Sequence, residues 1–221
     1  MTDTPIAPET TIRDLAATLP GAAAILRDAG IGFCCGGDLS LQQAAEKAGA
    51  DPSALLARLR DSSRRANAAE PQDIPGLLEH ILTRYHATHR EELDTLIPLA
   101  ERVERVHGSH ADAPLRLAEA LVALRDDLES HMVKEERVLF PAILHGAGAK
   151  MAGPIRVMTE EHADTTGILA RIEHVTHGLR LPEDACGSWS ALYAGLRKLG
   201  DDVVAHVHLE ETNLFPRALA S

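Results

Sequence analysis

The sequence predicts an all-α fold in which a small helical domain precedes an up-down-up-down four-helix bundle. Three observations predict it. Hydrophobic residues make up 45% of the chain but aromatics only 3%, so the core is built mainly of Ala, Leu, Ile and Val, a composition that favours helices. No segment alternates apolar and polar residues for long enough to form a strand. From residue 74 onward, apolar residues recur at long helical periods, interrupted at Pro114, at Gly153-Pro154 and in the loop LRLPEDACGS.

The elements follow in order. TTIRDLAATLP starts with a threonine cap and stops before Pro20. GAAAILRDAG is apolar at helical spacing and stops at Gly30. SLQQAAEKAG opens on a capping box, Ser40 to Gln43, and stops at Gly49. DPSALLARL has an Asp cap with proline at the first helical position. These segments make a small helical domain over residues 1–66, with GFCCGGD as its central turn. Residues 67–73, the second half of a polar and weakly patterned stretch, read as a linker. The bundle occupies residues 74–221, with helices expected over 74–106, 113–145, 152–178 and 187–218. Pro98 lies inside the first of these and is expected to kink it or end it early.

Composition excludes several function classes. The formal net charge is −11 and the basic residues are scattered, which argues against nucleic acid and against an acidic membrane surface as partners. No apolar run approaches ~20 residues, so no membrane span is expected. The N-terminal MTDTPIAPET lacks a secretory pattern, and a cytoplasmic location is expected. Three cysteines in such a chain point to reactive or incidental thiols and not to a disulfide framework. Twelve histidines stand out.

An internal repeat organises them. HMVKEERVLFP and HVHLEETNLFP both fit His-x-x-x-Glu-Glu-x-x-Leu-Phe-Pro, 75 residues apart. They supply His131 and Glu135 in one copy and His206 and Glu210 in the other. His86 precedes His131 by 45 residues, and His162 precedes His206 by 44. Each half therefore offers one lone histidine and one His-x-x-x-Glu pair. Residues four apart share a helix face, and helices packed ~8–10 Å apart leave room for ions between them. Four histidines and two glutamates are too many for a structural zinc with its four ligands. They suit two octahedral ions, each with two histidines and both bridged by the glutamates, an oxide or hydroxide bridge leaving one open position on each. An imidazole and carboxylate set without thiolate is used by iron, among others. A zinc or manganese hydrolase is the weaker reading.

The bland reading of a lone helical histidine is surface or satisfied core. It is kept for His80, His89, His110, His145, His174, His177 and His208, which lack a symmetric partner. His107, ending the first long helix, is a candidate for a place behind the ligands or for an alternative ligand. Glu136 and Glu211 point ~100° away from the proposed ligand face and are expected to matter much less than Glu135 and Glu210.

These residues resemble a known family. The bundle is similar to a hemerythrin-type (HHE) cation-binding domain. With GIGFCCGGDLSL, YHATHREEL, SHMVKEERVLFP, GPIRVMTEEH and HLEETNLFPRAL, the whole chain resembles the repair-of-iron-centres family of di-iron proteins. The resemblance implies two irons, oxo- or hydroxo-bridged, on His86, His131, Glu135, His162, His206 and Glu210. Met158 and Thr166 flank His162 where dioxygen-carrying hemerythrins place a second histidine, which argues against reversible dioxygen carriage. The implied role is repair of iron–sulfur clusters damaged by oxidative or nitrosative stress. Iron donation, reduction of nitric oxide to nitrous oxide, or both would serve that role, so an enzymatic nitric oxide reductase activity stays open. The alternative is a non-catalytic sensor or store for oxygen, nitric oxide or iron. Partners are then damaged iron–sulfur proteins and small molecules such as nitric oxide or dioxygen, with the chain a monomer or homodimer. Cys34 and Cys35, in a glycine-flanked turn, are expected either to pack or to bring a thiol to the metal site or to a client's cluster. Cys186 sits in a loop and reads as incidental.

Overall fold

The computed structural model describes residues 6–32, 37–68 and 71–220. Cys34 and Cys35 lie outside the described residues. Four short helices form the N-terminal part: α1 (Ile12–Thr18), α2 (Ala22–Asp28), α3 (Leu41–Ala48) and α4 (Pro52–Ala68). The Thr11 hydroxyl caps α1 by accepting from the Asp14 amide. The Ser40–Gln43 capping box is present in both directions, and Gly49 closes α3 at φ 70°. Among the described residues there is no strand, only an isolated antiparallel bridge between Thr11 and Ser40. Ile12, Leu15, Leu26, Leu41, Leu55 and Leu59 share one small core.

Four long helices follow: α5 (residues 74–107), α6 (117–144), α7 (Ala152–Val175) and α8 (187–220). Asp73 caps α5, accepting from the Gly76 amide at 2.7 Å, with Pro75 in the first turn. Helix α5 runs through Pro98 to His107. The expectation that Pro98 ends the helix is corrected, because Pro98 and Asp94, whose carbonyl would lose its amide partner, both face water. Helix α6 starts later than expected. Arg116 takes a left-handed φ of 69° before it, and the Glu104 carboxylate of α5 accepts from the Ala118 amide at 2.7 Å.

The bundle closes with α5 against α6 and α8, and α6 against α7. Its apolar interior is in two parts. One includes Leu93, Leu121, Leu128, Met132, Trp189 and Val203. The other includes Ile81, Leu139, Phe140, Met158, Leu209 and Phe215. On α5, α6 and α8 the residues between these clusters are polar: His86, Glu135 and His206.

The small domain rests on α7 and α8. Arg27 pairs with Glu173 at 3.0 Å and lies 3.8 Å from Asp201. The His208 Nδ1 donates to the Thr18 carbonyl at 3.0 Å. A cavity of about 100 Å³ lies in this joint, with Arg27, Thr166, Glu173 and Val204 in its walls.

Candidate metal centre

Local helix geometry presents the site. Three π-helical turns interrupt the long helices, at Ile81–His86, Glu135–Leu139 and Glu210–Leu214. One ends at a candidate histidine and two begin at a candidate glutamate. In each, the next amide bonds five residues back: Ala87 to Leu82, Phe140 to Glu135 and Phe215 to Glu210. Pro141 and Pro216 follow two of these turns and lack the amide an α-helical register needs. The repeated Leu-Phe-Pro tail therefore accompanies the bulge that re-aims the glutamates, a widening common at functional positions.

The structure brings all six expected residues together. His86, Glu135 and Glu210 are fully buried, and His131, His162 and His206 are 2–4% exposed. Ligand-type atoms of His86, Glu135, His206 and Glu210 lie within 4.8 Å of one another, and so do those of His131, His162 and Glu210. The carboxylates face both groups. Glu135 Oε2 is 3.3 Å from His86 Nε2 and 3.4 Å from His131 Nε2. Glu210 reaches His162 at 3.1 Å and His206 at 3.0 Å.

The far nitrogens of three of the histidines are also held. His86 Nδ1 meets Glu136 at 2.9 Å, His131 Nδ1 meets Glu161 at 3.0 Å, and His162 Nδ1 meets Glu211 at 2.9 Å. Arg90 supports Glu136, and Lys134 supports Glu161. Glu136 and Glu211 make contacts that helix facing alone does not show. They do turn away from the glutamate face of their own helix, and that direction carries them to the imidazole of the neighbouring helix. The doubled glutamate in both copies of the repeat was the signal for them. Glu161 had only its place beside His162.

Charge follows the same arrangement. Burial alone lowers His131 and His162. The Glu135 and Glu210 carboxylates override it and push His131 up to about 11. Glu210 and Glu211 push His162 up to about 9. His86 is raised by Glu135 and Glu136 against its burial. Glu210 is held well below the usual carboxylate range, against its own burial, by His206, His131 and His162. Buried charge of this kind is held either by protons on the histidines or by metal cations. The cation fits the orphaned atoms: His86 Nε2, both Glu135 oxygens and Glu210 Oε2 are buried without a hydrogen-bond partner. Each such group costs ~1–3 kcal/mol, and metal ligation would satisfy all of them.

The comparisons with known proteins agree with this geometry. The hemerythrin HHE cation binding domain matches residues 77–218. The chain belongs to the hemerythrin HHE family. Ahead of the hemerythrin bundle, residues 8–63 match a domain of unknown function (DUF542). Relatives of this hemerythrin chain extend over both parts. It is 42% identical over 209 residues, 93% of this chain and 95% of the relative, to the iron-sulfur cluster repair protein YtfE of Dickeya chrysanthemi (strain Ech1591). It is 43% identical over 217 residues, 96% of each chain, to the protein of the same name from Musicola paradisiaca (strain Ech703).

The remaining histidines separate clearly. His107 is corrected: it lies 21 residues along α5 from His86, about 31 Å at 1.5 Å per residue. It contacts Cys186 Sγ at 3.2 Å and Trp189, not the centre. His89 was read as ordinary but is fully buried with both ring nitrogens unpartnered. Its ring is 5.4 Å from that of His206, and burial pulls it down to about 2, so it is neutral. Among the described residues, no helix is long and apolar enough to cross a membrane.

Proposed function

We propose that this chain repairs damaged iron–sulfur clusters and holds two iron ions in its hemerythrin bundle. The observation that carries the reading is the buried layer of four histidines and two glutamates, in which Glu135 and Glu210 each face both histidine pairs. The relatives named as cluster repair proteins support the biological role. His86 and His206 would hold one iron and His131 and His162 the other, with Glu135 and Glu210 within reach of both positions. When bound, the iron pair supplies one-electron redox chemistry and is itself the material a damaged cluster lacks. The chain's own residues set the conditions. Glu136, Glu161 and Glu211 hold the Nδ1 protons, so that each Nε2 turns inward with its lone pair. The apolar layers on either side, with Leu128 and Met132 on one and Leu139 and Phe140 on the other, keep bulk water out.

The repair role assigns residues 1–66 to a thiol-bearing module and 74–221 to the iron-holding unit, joined by 67–73. Cys34 and Cys35 would then meet a client's cluster or iron in transit, with damaged iron–sulfur proteins as partners. Aerobic and anaerobic purification after iron-rich expression tests the reading, with a metal count and a near-ultraviolet spectrum. Two irons per chain and reactivation of a nitric oxide-damaged iron–sulfur enzyme are expected. One zinc per chain and no iron would overturn the proposal. Iron binding without reactivation would leave a sensor or store, and nitrous oxide formation under nitric oxide would mark reductase activity.

A further inference from the structure

The two halves of the bundle correspond by a shift of 76 residues between α5 and α7 and of 75 between α6 and α8. The shift maps His86 on His162, His131 on His206, Glu135 on Glu210 and Glu136 on Glu211. The flanking positions break it. Tyr85 stands where the other half has Glu161, and His89 stands where the other half has Thr165.

The break falls beside one histidine. His131 Nδ1 has the Glu161 carboxylate at 3.0 Å. At the corresponding place the Tyr85 ring stacks on His206, with centroids 5.1 Å apart and planes 7° apart. Arg84 lies over the Tyr85 ring, 5.1 Å from its centroid, and is itself paired with Asp202. Among the described residues, Glu210 is the only carboxylate within 4.0 Å of a His206 ring nitrogen. The second difference lies alongside. Thr165 donates its hydroxyl to Asp127 at 2.6 Å, whereas His89 is buried with both nitrogens unpartnered.

The closest contacts of the inner glutamates do not discriminate between the two positions, although both glutamates join the compact set of His86 and His206 and only Glu210 joins that of His131 and His162. Glu135 is 3.3 Å from one pair and 3.4 Å from the other, and Glu210 is 3.0 Å and 3.1 Å away. The surroundings do. A carboxylate on the far N–H of an imidazole fixes the ring and makes the opposite nitrogen a stronger donor. Removing such a partner costs ~10–100-fold in metal affinity. Both histidines of the His131/His162 position have one. Only His86 has one in the His86/His206 position, where the His89 ring, with both nitrogens unpartnered, lies 5.4 Å from that of His206.

We infer that the two irons are inequivalent, and that the iron held by His86 and His206 is the exchangeable one, while the iron held by His131 and His162 stays. The inference rests on the two-iron reading above. Release breaks only iron–nitrogen and iron–oxygen coordination, without change of oxidation state, and the acceptor is a thiolate-rich ferrous site.

The test is anaerobic release of ferrous iron from the full chain to the chelator ferrozine. One iron per chain should leave in a fast phase and one in a phase ~10–100-fold slower. Glu161→Gln should accelerate only the slow phase, and Glu136→Gln only the fast one. If Glu161→Gln fails to load two irons, Lys134→Met, which removes the cation holding Glu161, is read in its place with the same expectation. A single release rate, or acceleration of the fast phase by Glu161→Gln, would overturn the inference and leave the two-iron reading intact. Fewer than two irons in the wild type before chelation would instead overturn the two-iron reading.

Discussion

Replacing Arg27 by methionine tests the joint between the small domain and the helices that carry His162 and His206. The Arg27 side chain is 17% exposed and its partner Glu173 12%, at 3.0 Å, with Asp201 at 3.8 Å and 34% exposed. Breaking a fully buried pair costs ~3–5 kcal/mol, because the remaining charge is left without a partner. The residual exposure places Glu173 at the low end, about 3 kcal/mol, and the longer, wetter contact to Asp201 adds less than ~1 kcal/mol. For a chain of this size ~1 kcal/mol moves the melting temperature by ~2–4 °C, so the transition that undocks the small domain should fall by ~6–12 °C. The pH dependence has a definite sign. Burial raises Glu173 above its ordinary 4.5, and Arg27 opposes this. A raised carboxylate favours the folded state when protonated, and that contribution is lost as pH rises through the folded value. Without Arg27 the rise is larger, so the penalty should be small below about pH 4.5 and full at neutral pH. Adding Glu173→Leu removes the stranded charge and should recover more than half of the loss. Scanning calorimetry at matched metal content reads all three chains. A shift below ~2 °C for Arg27→Met, or a double variant no better than the single one, would refute the reasoning.

Four further outcomes are expected. Glu135→Ala or Glu210→Ala should lower the metal count per chain, whereas Glu136→Gln or Glu211→Gln should keep metal but bind it ~10–100-fold more weakly in chelator competition; indifference at the outer pair would mean that their Nδ1 contacts do not support the ligands. Gly195→Ala places a Cβ 2.6 Å from Leu96 Cδ2 and should destabilise by ~1–3 kcal/mol in chemical denaturation, a loss that Leu96→Val should relieve. Cys34→Ala with Cys35→Ala should leave metal content unchanged and slow reactivation of a nitric oxide-damaged iron–sulfur enzyme; equal rates at matched loading would make the pair structural. A fragment beginning at residue 72 should fold and keep its metal, and a metal-free fragment would mean that the small domain completes the site.

The legibility of this chain in its sequence follows the range of the interactions involved. Capping at Thr11, Ser40 and Asp51 was readable because a cap and its amide lie within three residues of each other. The six central residues were readable because spacing of four on a helix is local and the phrase occurs twice. Glu136, Glu161 and Glu211 were not readable as imidazole partners, because each partner lies on another helix and the helix faces are set by packing. Pro98 misled because its cost depends on whether the freed carbonyl of Asp94 meets water. His107 misled because its place at the end of a helix says nothing about which end of the bundle holds the site. His89 could not be separated from a surface histidine without its burial.

The doubled glutamate places two carboxylates, one residue apart, in different surroundings. A carboxylate on a long helix is ordinarily a solvated face, and Glu136 and Glu211 keep 28% and 33% of their side-chain exposure. Arg90 beside Glu136 holds its carboxyl below the usual range against its partial burial, and an ionised carboxylate is what fixes the Nδ1 proton of a facing imidazole. The preceding glutamates are fully buried, where a carboxylate stays charged only against protonated histidines or a cation. One sequence step, with a π-helical turn beginning at the first glutamate, therefore separates a residue that needs water from one that must be kept from it. Each half of the bundle repeats that division, and beside the ligands Tyr85 and His89 stand where the other half has Glu161 and Thr165. Ligand duplication alone would give two equal positions. On the two-iron reading, the unequal surroundings would allow one position to give up its ion while Glu135 and Glu210 stay held at the other.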